Sequence, residues 1–172
     1  MKNKFTLIKL MVFVSIIFVS FSCDNEETNV NIDKDLYSMA KSTSGFSWYK
    51  NSDEYLERSD SSGHSQPFLR TRYNSIAASM FDANGKILEN STFPDGSLIV
   101  KELVDANFEL ELYAILYKKY DNKYTDLRGW VWGYIDADGE VIVSASEKGS
   151  GCSYCHLQSE HIDYTLMNKY FP

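Results

Sequence analysis

From Phe68 onward, apolar and polar residues alternate in short runs separated by turn residues, a pattern that predicts antiparallel sheet. Phe68 to Tyr73 reads as a strand, with Phe68, Arg70 and Arg72 on one face and Leu69, Thr71 and Tyr73 on the other. Ser97 to Val104 alternates Ile99, Lys101 and Leu103 against Leu98, Val100 and Glu102. Phe108 to Tyr117 is apolar at Phe108, Leu110, Leu112 and Ala114 and more polar on its other face. Trp130 to Ile135 and Glu140 to Ala145 flank Asp136-Ala137-Asp138-Gly139, a strong hairpin signal. Asn74 to Phe81 reads as a short helix closed by Asn84-Gly85, and Phe93-Pro94-Asp95-Gly96 as a turn.

The flanks follow a different rhythm. From Asp33 to Arg58 the apolar spacing mixes threes and fours, which predicts a helix from about Lys34, broken near Gly45. Ser59 to Gly63 is loop, with His64 just beyond. Cys152 to Tyr170 suits a terminal helix. The expected fold class is α+β: mainly antiparallel sheet, with an N-terminal helix and a C-terminal helix carrying the cysteine motif described below.

The first 22 residues read as a signal peptide. Lys2, Lys4 and Lys9 precede an apolar run, Leu10 to Ser22, too short to span a membrane comfortably. Small Ser22 before Cys23 resembles a bacterial lipoprotein signal, in which Cys23 is lipidated and becomes the first residue. An ordinary signal peptide with an incidental cysteine is the plainer alternative. Residues 23–33 are a polar, acidic tether, and 34–172 are one domain's worth of chain. The expected location is outside the cytoplasm, periplasmic or at the cell surface, held to a membrane through the lipid alone.

Composition narrows the partners. Without the three leader lysines, 14 basic side chains face 24 acidic ones, a net of −10 with histidine neutral. That balance excludes nucleic acid as an expected partner and electrostatic docking to anionic membrane. Aromatics make up 15% of the chain, which suits twisted sheet and the wall of a large flat ligand.

The chemistry concentrates at Cys152-Ser153-Tyr154-Cys155-His156. This is C-x-x-C-H, the attachment signal for one c-type haem. Two thiols add across the two porphyrin vinyl groups, and the adjacent His156 is held beneath the iron as its axial ligand. With Cys23 accounted for, none of the three cysteines is left over. A redox disulfide normally opens a helix in a βαβ unit, and no such unit appears. A structural zinc site wants four ligands, and only His156 and His161 stand near the pair. Gly149-Ser150-Gly151 is read as letting the backbone approach the cofactor.

Four stretches, Ser61-to-Asn74 "SSGHSQPFLRTRYN", "FPDGSLIVKELV", "GWVWGYIDADGEV" and "GCSYCH", together resemble the cytochrome P-460 and cytochrome c′-β family. The resemblance runs from about Phe46 to Phe171. It implies a mainly antiparallel sheet, often dimeric, around one c-type haem whose iron keeps an open distal position. It further implies binding or oxidation of small nitrogen compounds, hydroxylamine or nitric oxide, with a redox partner protein taking the electrons, or, as in the c′-β branch, binding of nitric oxide and carbon monoxide without turnover. In the P-460 branch a lysine of the D-G-[ST] strand is cross-linked to the porphyrin edge, and Lys101 stands at the matching place. Arg70 matches a strand from which relatives project a distal arginine, with Arg72 sharing its face.

Lys101 also draws notice on physical grounds, because it shares a strand face with Ile99 and Leu103, where an unpaired ammonium is costly. The plainer reading has it reach past the sheet edge and pair with Glu102 or another carboxylate. Among the remaining nitrogens, His161 reads as a surface residue. His64 is read as structural or partly exposed, with a place in the pocket, or as the sixth ligand of an electron-transfer cytochrome, as alternatives. Met80 and Met167 read as core, and Phe68, Phe81 and Phe93 as candidates to cap a distal face.

Overall fold

The computed structural model describes residues 31–172; the signal segment, Cys23 and most of the tether lie outside the described residues. An antiparallel sheet of seven strands dominates it. The strands are β1 (Phe46–Trp48), β2 (Leu56–Glu57), β3 (Phe68–Asn74), β4 (Leu98–Val104), β5 (Leu110–Lys118), β6 (Trp130–Asp136) and β7 (Val141–Val143). Spatial order is β1-β3-β4-β5-β6-β7, with β2 also pairing to β3. From β3 to β7 the order is sequential, in keeping with the tendency of consecutive strands to lie side by side.

Period-2 alternation divides the sheet into two apolar layers. On one face, Leu69, Tyr73, Ile99, Leu103, Leu116, Trp130 and Trp132 are buried together. On the other, Leu98, Val100, Ile115, Val131 and Ile135 pack beneath helix α1 (Ile32–Lys41). Asn31 caps α1, its side chain accepting from the Lys34 N–H at 3.4 Å, and Asp33 and Asp35 in the first turn suit the positive end of the dipole. This cap starts the helix two residues before Lys34. Ile32, Leu36 and Ala40, four apart, are its buried stripe. Gly133 is the floor under Leu36: a Cβ there would lie 2.9 Å from the Leu36 Cδ1.

The helix expected from about Lys34, broken near Gly45, ends at Lys41, four residues before that glycine. Gly45 at φ 77° turns the chain into β1, which pairs with β3, so Phe46 and Trp48 are drawn into the sheet. The strand expected from Phe108 begins at Leu110, because Phe108 (φ 64°) sits in a turn whose N–H groups bond the Asp105 carboxylate. Asn74 caps the short α2 (Ser75–Ala78), accepting from the Ala77 N–H at 2.9 Å. The Asp136–Gly139 hairpin forms as expected, with Gly139 at φ 97°.

The C-terminal stretch is not one helix. It holds two short ones, α3 (Ser153–His156) and α4 (Met167–Tyr170), separated by left-handed Glu160, Asp163 and Tyr164. Left-handed residues cannot continue a right-handed helix, and Asp163 is held where it is by tertiary partners described below.

Candidate functional site

Registration of the strands builds the floor of the site. Thr71 pairs with Lys101, Lys101 with Ala114, Ala114 with Tyr134 and Tyr134 with Val143, which forms one row across five strands. The neighbouring row on the same face is Tyr73, Ile99, Leu116 and Trp132. Both rows line one cavity of about 60 Å³, which adjoins a second of about 240 Å³ at the motif helix. Lys101, His64, Tyr134, Cys152 and His156 face both. Ala114, the smallest side chain in its row, stands beside Lys101 and leaves room above the sheet.

The helical turn α3 brings the motif together. Cys152 and Cys155 are three residues apart on one helical face, and both thiols are free. Cys152 is half-buried, and burial raises its thiol pKa, with a further push from Glu147. His156 Nδ1 lies 2.7 Å from the Tyr164 carbonyl oxygen; a carbonyl only accepts, so Nδ1 carries the proton and donates. Nε2 keeps its lone pair. Burial, and then the nearby Lys101 charge, lower the His156 pKa to about 4 despite that hydrogen bond, so the ring is neutral near pH 7. The Trp132 ring meets the imidazole edge-on at 5.1 Å, and its indole N–H donates to Asp126 at 2.9 Å.

The two glycines before the motif have different surroundings. Gly149, at φ 69°, lies against the Trp132 indole, and a Cβ there would fall 2.5 Å from its nitrogen. Gly151 has nothing within 4 Å of such a Cβ. The close approach is thus to Trp132, the wall beside His156.

Lys101 stands where the alternation put it, on the cavity face with Ile99 and Leu103. The alternative pairing with Glu102 does not form, since that carboxylate turns to the other face and bonds Arg70 and Arg72. Among the described residues no carboxylate pairs with Lys101. Burial without a counter-charge lowers its pKa to about 8.

Arg70 is not brought to this site. Its guanidinium bonds Glu102 at 2.6 Å and lies 4.6 Å over the rings of Trp48 and Tyr55, on the sheet face away from Lys101. Arg72 is on that same face, fully buried against Glu102 and the Ala40 carbonyl. The expectation of Arg70 as a distal donor is therefore corrected: strand parity sends it away from the cavity.

His64 is brought in. It lines both cavities, stacks on Tyr134 (centroids 5.7 Å apart) and meets the Tyr134 hydroxyl through Nδ1 at 3.4 Å. Burial, then the Lys101 and His156 charges, push its pKa down to about 2. Before it, Gly63 runs close to Cys155; a Cβ at Gly63 would lie 3.8 Å from the Cys155 sulfur. Met167 lines the cavity and its sulfur accepts from the Thr71 hydroxyl at 3.4 Å. His161 bonds the Tyr164 N–H at 3.1 Å, outside both cavities. Phe93 and Phe81 pack on Tyr73, and Phe68 on Phe108, so none of the three lines either cavity.

Sequence reading missed Tyr134, Trp132 and the Tyr164 carbonyl. The first two were findable, because Trp130, Trp132 and Tyr134 alternate with Val131, Gly133 and Ile135. The carbonyl carries no side-chain signal at all. Comparison of the chain with protein-family models, with curated proteins and with solved structures returns no match.

Proposed function

We propose that this is a c-type mono-haem protein with an open iron position that binds or oxidises small nitrogen compounds such as hydroxylamine or nitric oxide. The observation that carries the reading is convergence: two free thiols, an imidazole with Nε2 unengaged, and an unpaired lysine open on one cavity. The donor set fits the group. Cys152 and Cys155 would hold a haem through thioethers, and His156 Nε2 would bind its iron. A haem bound there supplies an iron that takes up a small ligand and passes single electrons to a partner protein.

The chain's own residues have definite tasks in that setting. The Tyr164 carbonyl fixes the tautomer and orientation of His156 and raises the basicity of Nε2. Ile99, Leu116, Leu166 and Met167 keep the inner cavity apolar and exclude water. Lys101, with a pKa near 8, exists in both protonation states close to neutral pH and so can take or return a proton. His64, neutral and held at Nδ1 by Tyr134, offers Nε2 as a hydrogen-bond partner. The resemblance to the P-460 family adds the reading that Lys101 becomes bonded to the porphyrin edge.

An absorption spectrum of the exported, matured protein tests the core of this. The expected result is a high-spin ferric spectrum, with pigment that stays on the chain in acid acetone. A colourless protein, or a low-spin one that binds no nitric oxide, overturns it. A far-red band accompanies a cross-linked Lys101. The second reading, a gas-binding protein without turnover, shares the site but leaves Lys101 free. Hydroxylamine oxidation with an added electron acceptor, lost in Lys101→Ala, favours the enzyme. A plain electron-transfer cytochrome would use His64 as sixth ligand, and His64→Ala would then convert low-spin iron to high-spin.

A further inference from the structure

A second buried cation lies away from the cavity and has no task in the function proposed above. The Lys118 ammonium is 2.9 Å and 3.2 Å from the two Asp163 carboxylate oxygens. Both side chains are nearly sealed from solvent, at 1% and 5% exposed. The Trp130 indole N–H (3.2 Å) and the Phe93 backbone N–H (3.0 Å) donate to the same carboxylate. A buried ion pair is weak grounds for stability, because apolar residues of similar volume often serve equally well. Its neighbours point to another use.

Asp163 and Tyr164 are the central residues of a tight turn, with φ of 45° and 72°. Reciprocal backbone bonds between Ile162 and Thr165, 2.9 Å and 2.8 Å, close it. Neither central residue has glycine's freedom, and left-handed pairs of this kind persist only where the surroundings dictate them. Here the surroundings are the four donor contacts on the Asp163 carboxylate, from the end of β5, the start of β6 and the Phe93 turn. The turn's product is the Tyr164 carbonyl, aimed at His156 Nδ1 from 2.7 Å.

We infer that Lys118 and Asp163 are a positioning pair: they lock the Asp163–Tyr164 turn to the sheet so that the Tyr164 carbonyl holds His156 as the Nδ1–H tautomer with Nε2 free. The tautomer and aim of a ligating imidazole are set by what its other nitrogen bonds. The sheet thereby registers the ligand, although the two sit on separate segments. The use of Nε2 for iron rests on the proposed function; the control of the tautomer does not.

The test reads the His156 ring directly. Nitrogen-15 shifts of His156 are recorded in the haem-free full chain, and the iron–histidine stretch by resonance Raman in the ferrous haem-loaded protein. The proteins are wild type, Lys118→Met, Asp163→Asn and the double variant. Leu36→Ala, in the opposite layer, is the control for stability loss alone. The expected result is a single Nδ1–H tautomer in wild type and control, and a mixture with Nε2–H in all three pair variants. The iron–histidine frequency falls in the same three as the imidazole loses its hydrogen bond. The double variant buries no lone charge and carries the readout should either single one fail to fold. Pair variants that melt earlier but keep one tautomer and an unchanged frequency overturn the inference and make the pair mere glue. A colourless protein whose tautomer still shifts sinks the haem reading and leaves the positioning pair standing.

Discussion

The two faces of the sheet treat buried cations in opposite ways. Beneath α1, Arg72 is fully buried and Arg70 half-buried, yet both meet Glu102, which sits directly across from Arg70 in the β3–β4 register. Aromatic rings add to that arrangement, Trp48 and Tyr55 lying 4.6 Å from the Arg70 guanidinium. On the cavity face, one residue along the same strand from Glu102, Lys101 has no such partner and its pKa falls to about 8. A buried charge that is paired and hydrogen-bonded is part of the architecture. A half-buried amine left unpaired beside two free thiols and a neutral imidazole is a candidate for chemistry.

The largest effect expected from breaking this contrast is on pigment. On the proposed function, changing both Cys152 and Cys155 to Ser should abolish covalent haem and leave the sheet intact, read as a pyridine haemochrome signal lost with far-ultraviolet dichroism unchanged. Pigment retained on the chain through acid acetone refutes the attachment. Next comes Glu102→Ala, which strands two arginines on the α1 face, one of them fully buried. It should lower unfolding free energy by roughly 3–5 kcal/mol, the usual cost of breaking a buried pair. The urea midpoint reports this, and the spectrum of the haem-loaded protein should not move.

Lys101→Met acts with the opposite sign in the haem-free chain. The folded pKa is about 8, against about 10.4 in an unfolded chain. Between those values the unfolded state binds more protons, so folding stability rises with pH across that window. The gain is at most about 3 kcal/mol at about 1.36 kcal/mol per pKa unit, and hydration of the half-buried side chain reduces it. The difference in stability between wild type and Lys101→Met should therefore shrink from pH 7 to pH 10. A constant difference would show that Lys101 titrates as an exposed lysine. The smallest effect is that of Arg70→Met, which should leave carbon monoxide and nitric oxide affinity unchanged; a clear drop would return that arginine to the site.

Much of this contrast was legible as alternation. Strand parity alone placed Lys101 with Ile99 and Leu103 and set Arg70 with Arg72 on a common face. What parity could not say is which face carries the cavity, and so Arg70 was assigned by resemblance to the wrong one. The C-terminal segment was misread for a related reason. Its apolar spacing suits a helix, but Asp163 gains four contacts from three distant segments by adopting a left-handed turn, and tertiary hydrogen bonds outweigh local propensity. His64 looked peripheral because a histidine after a glycine-ended loop has no periodic signal. It is the pairing of β6 with β5 and β7 that sets Tyr134 where His64 can stack on it.

Local chemistry, read residue by residue, was enough to establish an antiparallel sheet, its Asp136–Gly139 hairpin and the C-x-x-C-H motif, because tight turns and short motifs are encoded by near neighbours. Which side chains surround that motif depended on strand register and on a buried ion pair joining residues 45 positions apart. Those are long-range contacts, whose energies belong to no single stretch of chain, and only the folded arrangement could decide them.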